Sequence, residues 1–345
     1  MDSVRYEIDL ISDNAAQPTD AMRQAMARAR VGDEEFGEDP TVRELEELAA
    51  GLTGKEAALF MPSGTMCNIV SYFVHCGDEG EVLIDEGSHP VYSGYGGPAV
   101  RGRPLLRCVP GRRGVIDPEQ VDAAGQLHDR LRVLSLENTH NRSGGSVWPR
   151  AALTAACSAA HALGLVTHLD GARLPNACVA GGLSWAEACA PFDSAWVDLS
   201  KGLGCPTGAV LVGSAAFIDD ARTAKYLFGG LTHKAGMAAA AGLYAFRHNV
   251  ERLRDDHQHA AELARGLGEI PGIRIAQEVV ETNIVYLELD GFPLSAEALL
   301  HGLAPAGIRF KALGPTLLRA VTHLGIRPEH VPRVVDAVRT LAAAG

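Results

Sequence analysis

The chain of 345 residues lacks an excess of basic residues and lacks a long apolar run. Its formal net charge of -11 argues against a nucleic-acid or anionic-membrane surface, because both need a basic face. No stretch approaches the ~18 uninterrupted apolar residues of a membrane helix. The sequence therefore predicts a protein with neither nucleic acid nor membrane as a partner.

The sequence also lacks the cysteine patterns of disulfide-rich and metal-binding proteins. Its seven cysteines are an odd number and show no metal-type pairing, and its thirteen histidines include no His-Glu-x-x-His spacing. We therefore expect no metal site. The segment 1–7 has no apolar signal core, so we expect reduced, mostly buried thiols in a cytoplasmic protein.

A third absence concerns nucleotide binding, since no G-x-G-x-x-G follows the first predicted strand. Short apolar runs instead alternate with helical patterns from about residue 40 to 245, which is typical of a mostly parallel sheet between helices. After about residue 268 the pattern indicates a shorter sheet with helices on one face. We predict an α/β fold with an N-terminal arm (1–20), a large domain (21–247) and a smaller C-terminal α+β domain (248–345).

The apolar periodicity places the individual elements. Strands are predicted near 57–60, 81–84, 105–109, 132–136, 165–169, 194–199 and 209–212, and then near 273–275, 283–288, 308–311 and 317–321. Helices are predicted near 42–52, 64–76, 150–163, 236–245, 250–267, 296–303 and 329–343.

What the sequence does have is a lysine that follows an apolar strand. Lys201 enters a glycine-rich turn, and an earlier apolar run ends at Asp170, followed by Arg173. A carboxylate, an arginine and a lysine about thirty residues further on are the groups that hold pyridoxal phosphate. The amine of Lys201 would carry the aldehyde, and Asp170 would keep the pyridine nitrogen protonated. These residues predict an enzyme.

The segment Ser63-Gly64-Thr65 lies between an apolar run and a helical pattern. A strand that turns into a helix through such residues leaves free N–H groups where a phosphate binds well. Taken alone, an ordinary helix cap is the simpler interpretation. With Asp170, Arg173 and Lys201 in the same chain, phosphate binding is the preferred one.

The candidate residues share one position relative to the predicted strands. Ser63, His89, His140, Asp170 and Lys201 each come directly after or at the end of a strand. Ligands of open α/β sheets bind outside the carboxyl ends of the strands. We therefore expect these residues to form one site.

Eight segments together resemble the motifs of the low-specificity L-threonine aldolases across nearly the whole chain. They are 8–13, 31–33, 36–42, 55–60, 62–66, 136–145, 168–173 and 199–203. The resemblance implies the aspartate-aminotransferase type of fold, pyridoxal phosphate, and a homotetramer built as a dimer of dimers with shared active sites. It also implies cleavage of β-hydroxy-α-amino acids to glycine and an aldehyde.

The resemblance also implies a role for each matching residue. His89 would stack on the cofactor ring, and His140 together with His89 would lie near the substrate's β-hydroxyl. The implied catalytic residues are Lys201, His89 and His140. The implied cofactor-binding residues are Ser63, Gly64, Thr65, His89, Asp170, Arg173, Ser200, Lys201 and Lys234. The substrate carboxylate would be held by Ser12, Arg173 and Arg319.

Each role has a simpler alternative. His89 could be a turn histidine, His140 could only hydrogen-bond the cofactor or a carboxylate, and Arg319 could be an exposed strand residue in an ion pair. His168 is interpreted as structural.

Several residues depart from the family pattern. The family usually has Arg at Ile11, Tyr at Phe36, an aromatic residue and Glu at 93–94, and Arg and Gln at 233–234. Lys311 is an unexpected cation close to Arg319. Because these departures lie on the substrate side, they predict an altered substrate or reaction. A transaldolase that passes the glycine carbanion to another aldehyde, a β-eliminating lyase and, least favoured, a non-catalytic relative remain as alternatives.

Overall fold

The computed structural model describes residues 6–92 and 104–344, so the departure at 93–94 lies outside the described residues. The strands are β1 (Ile8–Asp9), β2 (Ala57–Met61), β3 (Glu81–Asp85), β4 (Leu105–Val109), β5 (Leu131–Glu137), β6 (Val166–Asp170), β7 (Ser194–Asp198), β8 (Ala209–Gly213), β9 (Ile273–Ile275), β10 (Ile284–Leu289), β11 (Ile308–Arg309), β12 (Lys311–Ala312) and β13 (Leu317–Val321).

The helices alternate with these strands. They are α1 (Asp20–Ala27), α2 (Pro40–Thr53), α3 (Gly64–Cys76), α4 (His89–Tyr92), α5 (Pro118–Leu127), α6 (Arg150–Ala162), α7 (Leu174–Gly181), α8 (Trp185–Cys189), α9 (Ala215–Leu227), α10 (Gly236–His248), α11 (Leu253–Gly268), α12 (Ala296–Leu303) and α13 (His330–Ala344). Two short 3-10 helices cover Asp13–Ala15 and Ala304–Ala306. Among the described residues, no helix combines the length and apolarity needed to span a lipid bilayer.

The central sheet has seven strands in the order β2-β8-β7-β6-β5-β3-β4. Strand β8 runs antiparallel to both of its neighbours, and the other pairs are parallel. The carboxyl ends of β2, β3, β5, β6 and β7 therefore meet at one edge. Strands β3, β7 and β8 are buried along their whole length, as expected for a sheet covered on both faces. The predicted α/β fold class is confirmed.

A second sheet has four antiparallel strands in the order β12-β13-β10-β9. Its hydrophobic core joins α11, α12 and α13 and includes Ile8 and Leu10 from the N-terminal segment. Strand β1 pairs in parallel with β11, which ties this segment to the C-terminal part of the chain. The domain boundaries at 20 and 247 stay predictions.

One predicted strand, near 308–311, is divided in the structure. Ile308 and Arg309 pair with β1, whereas Lys311 and Ala312 pair with β13. Phe310 between them is buried in the C-terminal core. A single apolar run therefore belongs to two different sheets, which periodicity within the run does not reveal.

Candidate active site

Lys201 lies just beyond the end of β7 and is held by a carboxylate. Its Nζ is 2.8 Å from Oδ2 of Asp198, the last residue of β7. Oδ1 of Asp198 accepts hydrogen bonds from the backbone N–H of Ser200 (2.6 Å) and from the Ser200 hydroxyl (2.7 Å). The lysine side chain keeps 20 % of its surface exposed. The amine is therefore both positioned and accessible.

Asp170 ends β6 and is oriented by a chain of buried hydrogen bonds. Its Oδ2 accepts from Nδ2 of Asn68 at 2.7 Å. Oδ1 of Asn68 lies 2.8 Å from the indole N–H of Trp196 and 3.2 Å from Nε2 of His168. Nδ1 of His168 lies 2.8 Å from the Ser194 hydroxyl. Because indole N–H is only a donor, the Asn68 oxygen must face Trp196, and its amino group must face Asp170.

The carboxyl of Asp170 is held in an unfavourable place for a negative charge. Burial raises its pKa, the negative charge of Glu137 adds to the rise, and the pKa reaches about 6. His89, Asn68 and Lys201 act in the opposite direction. His168, by contrast, is fully buried and has a pKa well below its usual value because burial disfavours its charged form. His168 is therefore neutral, which fits the structural role expected for it.

The turn from β2 into α3 brings Ser63, Gly64 and Thr65 to the same edge. The Ser63 hydroxyl caps α3 by accepting from the N–H of Met66 at 3.3 Å. Gly64 packs so closely on Trp196 that a Cβ would lie 2.2 Å from the indole ring. The first N–H groups of a helix have no acceptor within it. Those of Gly64 and Thr65 are thus available to an anion.

Two buried arginines meet at Asn141. Arg173 forms a two-pronged ion pair with Asp13, from Nε at 2.7 Å and from Nη2 at 2.8 Å. Nη1 of Arg173 and Nη1 of Arg319 both donate to Oδ1 of Asn141, at 3.3 and 3.2 Å. Arg319 donates through Nη2 to the carbonyl of Ile11. Arg173 is thus already neutralised, whereas Arg319 contacts neutral oxygens.

Ser12 and Asp13 belong to this arrangement from the N-terminal side. The Ser12 hydroxyl caps the short helix at Asp13–Ala15 by accepting from the N–H of Asn14. Burial would raise the pKa of Asp13, but the adjacent Arg173 guanidinium outweighs burial and holds that pKa well below its usual range. The N-terminal segment therefore contributes a permanently charged carboxylate to the site.

Glu137, at the end of β5, fixes the two loops that carry the histidines. Its Oε2 accepts from the backbone N–H of His89 at 2.7 Å, and its Oε1 accepts from that of Asn141 at 2.8 Å. The side chain of His89 is exposed. It lines the same cavity as Asn141 and Arg319, so the His89 ring belongs to the same site.

His140 is placed differently from His89, because its ring is buried. Nε2 lies 3.0 Å from Oδ2 of Asp85, and Nδ1 lies 2.7 Å from the Ser143 hydroxyl. Gly114, with φ of +81°, lets the chain pass so closely that a Cβ there would lie 2.3 Å from the ring. Burial opposes the charged form of His140, but Asp85 and Glu137 outweigh it and raise the pKa of His140. The proposed catalytic role of His140 stays a prediction.

Lys234 is not brought to Lys201 within one subunit. Lys234 is exposed, and its neighbour His233 and Lys234 itself both lower the pKa of Asp33. Nδ1 of His233 lies 3.2 Å from Oδ1 of Asp33. The loop starts at Gly230, where a Cβ would lie 2.3 Å from the sulfur of Met66 in α3. The loop therefore borders the N-terminus of α3 at its start, and its residues His233 and Lys234 lie beside Asp33.

Four further residues of the site were not predicted from the sequence. They are Asp13, Asn68, Asn141 and Asp198. Each forms a hydrogen bond or ion pair with a predicted site residue, and the two partners lie up to 178 residues apart in the sequence. Only Asp198, three residues before Lys201, offered a local signal.

Comparisons with known proteins identify the family of the chain. Residues 9–290 match the family described as Beta-eliminating lyase. The low-specificity L-threonine aldolase 1 of Arabidopsis thaliana is 40% identical, covering 93% of this chain and 92% of the relative. The low specificity L-threonine aldolase of Escherichia coli K12 is 36% identical, covering 97% of this chain and 99% of the relative.

Solved structures agree with the fold. The threonine aldolase of Leishmania major superposes with a TM-score of 0.83 at 19% identity and covers 97% of this chain and 99% of its own. A serine palmitoyltransferase of Sphingomonas wittichii superposes with a TM-score of 0.74 at 18% identity and covers 98% of this chain and 87% of its own. The resemblance drawn from the motifs is confirmed: the chain belongs to the beta-eliminating lyase family and, within it, to the low-specificity L-threonine aldolases.

Proposed function

We propose that the protein is a pyridoxal-phosphate-dependent carbon-carbon lyase that cleaves the Cα–Cβ bond of L-β-hydroxy-α-amino acids such as threonine, giving glycine and an aldehyde. The observation that carries this is Arg319. The residue is 7 % exposed and lines a cavity shared with His89 and Asn141, and its Nε has no hydrogen-bond partner among the described residues. A buried guanidinium with an unmet donor is a site for the carboxylate of an amino acid.

The residues at the carboxyl edge fit pyridoxal phosphate. Lys201 offers an accessible amine, and the N-terminus of α3 offers N–H groups to the phosphate. Within the described parts of the chain, buried Asp170 has no cationic hydrogen-bond partner, and the protonated pyridine nitrogen would provide one. When bound, the cofactor supplies a sink for the electron pair left at the α-carbon. Both the family membership and these three groups therefore support pyridoxal phosphate as the cofactor.

The residues of the chain do the positioning. Arg319, with Nη1 of Arg173 beside it, would bind the α-carboxylate and fix the torsion of the bond that breaks. A base must accept the β-hydroxyl proton as the carbonyl forms, and a histidine suits this because its pKa lies near neutrality. His89, exposed at the cavity, can reach the substrate directly, whereas the ring of His140 is buried, with Nε2 beside Asp85 and Nδ1 beside Ser143.

Incubation of the holoenzyme with threonine and with phenylserine tests the reaction. We expect glycine and aldehyde in equal amounts and no ammonia. Ammonia in place of glycine would identify a β-eliminating lyase. Aldehyde exchange without free glycine would identify a transaldolase. If none of the products forms, the proposal is wrong.

Asp170 gives a prediction for the pH dependence of cofactor binding. The pKa of this carboxyl is raised to about 6, so the negative charge that pairs with the pyridine nitrogen is present above pH 6 and is lost below it. We expect cofactor affinity to fall by up to about tenfold per pH unit below that value. Asp170→Asn removes the charge at every pH and is the matched control.

The phosphate of the cofactor also titrates near pH ~6, so the ratio of the two dissociation constants is the quantity to measure. Spectroscopic titration of the apoenzymes should give a large ratio of variant to wild type at pH 8 that approaches one near pH 5. A ratio that does not change with pH would place Asp170 away from the pyridine nitrogen.

We also propose a homotetramer, built as a dimer of dimers with shared active sites, in the cytoplasm. Phe36 supports the shared site, because 71 % of its surface is exposed on a segment anchored by the buried ion pair of Glu34 and Lys225. Lys234 stays a candidate for the phosphate of a neighbouring subunit. All seven cysteines are unpaired, and six of them are buried, which fits a reducing compartment.

A further inference from the structure

A row of three side chains crosses the small sheet beside the active-site cavity. Tyr286 on β10 pairs with Arg319 on β13, and Arg319 pairs with Lys311 on β12. Residues paired in this way point to the same face, with Cβ atoms ~5 Å apart. All three line one cavity of about 440 Å³, together with His89, Tyr92, Asn141, Arg142, Leu313 and Leu317. The row therefore places a second cation one strand away from Arg319.

The pairing of Lys311 with Arg319 is unfavourable by itself. Like charges directly opposite each other on neighbouring strands destabilise a sheet. The pKa of Lys311 is lowered, first by burial and then by the positive charges of Arg319 and Arg142. Among the described residues that line the cavity, none is acidic. An anion that enters the cavity would relieve this repulsion.

Arg142 adds a third cation at the opposite wall. Its guanidinium carbon lies 3.2 Å from the centroid of the Tyr92 ring, so the cation is held flat over an aromatic face. The side chain is exposed. An arginine fixed in this way remains available to a carboxylate or phosphate oxygen.

The charges of the cavity exceed those of a simple amino acid substrate. One α-carboxylate neutralises Arg319 and leaves Lys311 and Arg142 unpaired. Building on the proposed aldolase function, we propose that the preferred substrate is an L-β-hydroxy-α-amino acid whose side chain carries a second anionic group, bound by Lys311 and Arg142. A carboxylate and a phosphate share the required chemistry.

The reaction balances for such a substrate. In β-hydroxyglutamate the Cα–Cβ bond breaks, the β-hydroxyl proton passes to a base, and a proton is added to Cα. The products are glycine and 3-oxopropanoate, an aldehyde that keeps the second carboxylate. No oxidant or further reactant is needed.

Substrate discrimination tests the proposal. We compare kcat/KM for β-hydroxyglutamate with that for β-hydroxyglutamine, which has the same shape and no side-chain charge. A phosphorylated γ-hydroxythreonine separates phosphate from carboxylate. We expect the holoenzyme to prefer an anionic substrate by about tenfold or more at low salt, the value of a charge-assisted hydrogen bond, and the preference to shrink as salt is added.

Variants of Lys311 test whether this residue causes the preference for an anionic substrate. Lys311→Met is expected to bring the ratio of acid to amide close to one while threonine cleavage changes little, and Lys311→Glu to invert the ratio. Arg274→Met is the matched control, since it removes a positive charge from β9 of the same sheet, where Arg274 pairs with Glu288 outside the cavity. An equal effect of Lys311→Met on acid, amide and threonine would overturn the proposal, as would a wild-type ratio near one.

Binding without turnover separates this proposal from the aldolase function. We expect calorimetry on the holoenzyme to show tighter binding of glutarate than of its monoamide, and Lys311→Met to abolish the difference. If that difference is present but no amino acid is cleaved, the aldolase function fails and the anion site stands. If threonine is cleaved and glutarate shows no advantage, the anion site fails and the aldolase function stands.

Discussion

Lys201→Ala is expected to give a folded protein that no longer holds pyridoxal phosphate covalently and whose aldolase activity falls by at least about 10²–10⁴-fold. The amine of Lys201 is the accessible one at the carboxyl edge, 2.8 Å from Asp198. After its removal Asp198 still accepts from the N–H and hydroxyl of Ser200, so the local turn keeps its hydrogen bonds. The loss is therefore chemical and not a loss of fold.

Borohydride reduction followed by peptide mapping measures this directly among the five lysines of the chain. We expect the label on Lys201. Lys225 is buried, donates to the carbonyl of Phe60 at 2.7 Å and is paired with Glu34, whereas Lys234 is exposed. Lys234→Ala is the matched control and should keep the label. A label on Lys225 or Lys234 would refute the assignment of Lys201.

The second large effect is expected at Arg319. Arg319→Ala should raise KM for amino acids by about 10²-fold, because a charge-assisted two-pronged contact with the α-carboxylate is lost. Cofactor binding should remain, since the contacts of Arg319 go to Asn141 and the Ile11 carbonyl and not to Lys201 or Asp170. Steady-state kinetics and a cofactor titration on the same preparation measure both quantities.

Two further variants test whether the rise in KM depends on the guanidinium group and on its position at residue 319. Arg319→Lys keeps the charge but loses the planar fork, so an intermediate KM is expected. Arg309→Ala removes an arginine that pairs with Asp9 on the neighbouring sheet, and its KM should stay near the wild-type value. If Arg319→Ala loses cofactor while the remaining holoenzyme keeps its KM, Arg319 does not bind the substrate carboxylate.

The strands were more predictable than the helices. Strands β4, β9 and β13 begin and end where their apolar runs do, because each run is bounded by polar or turn residues. The helices that the sequence did not predict are short or rich in alanine: α1, α4, α5, α7, α8 and α9. Alanine favours a helix but gives little contrast between its faces, so the periodicity is faint. The capping residues then determine where such a helix begins. At the start of α8, Glu187 accepts hydrogen bonds from both the hydroxyl and the N–H of Ser184.

Arg319 shows how much of the site could be predicted from the sequence. The family resemblance implied a role for it, but an exposed strand arginine in an ion pair was a simpler interpretation. The structure shows a buried guanidinium that meets Arg173 at Asn141. Arg173, which the resemblance marked as a ligand of the substrate, is paired in the structure with Asp13 through Nε and Nη2. Asn141, the partner of Arg319, and Asp13, the partner of Arg173, both lie far away in the sequence, so a local motif does not reveal either contact.

The sequence by itself determined the α/β fold, the family and the approximate positions of most strands, because those features depend on local periodicity and on short motifs. Only the tertiary structure decided which charges remain unpaired. Asp13 neutralises Arg173 from 160 positions away, whereas Lys311 and Arg319 lie opposite each other without an acid between them. Pairing of charges depends on distances of a few ångströms between separate elements, and such distances exist only after β1, β6 and the small sheet have packed together.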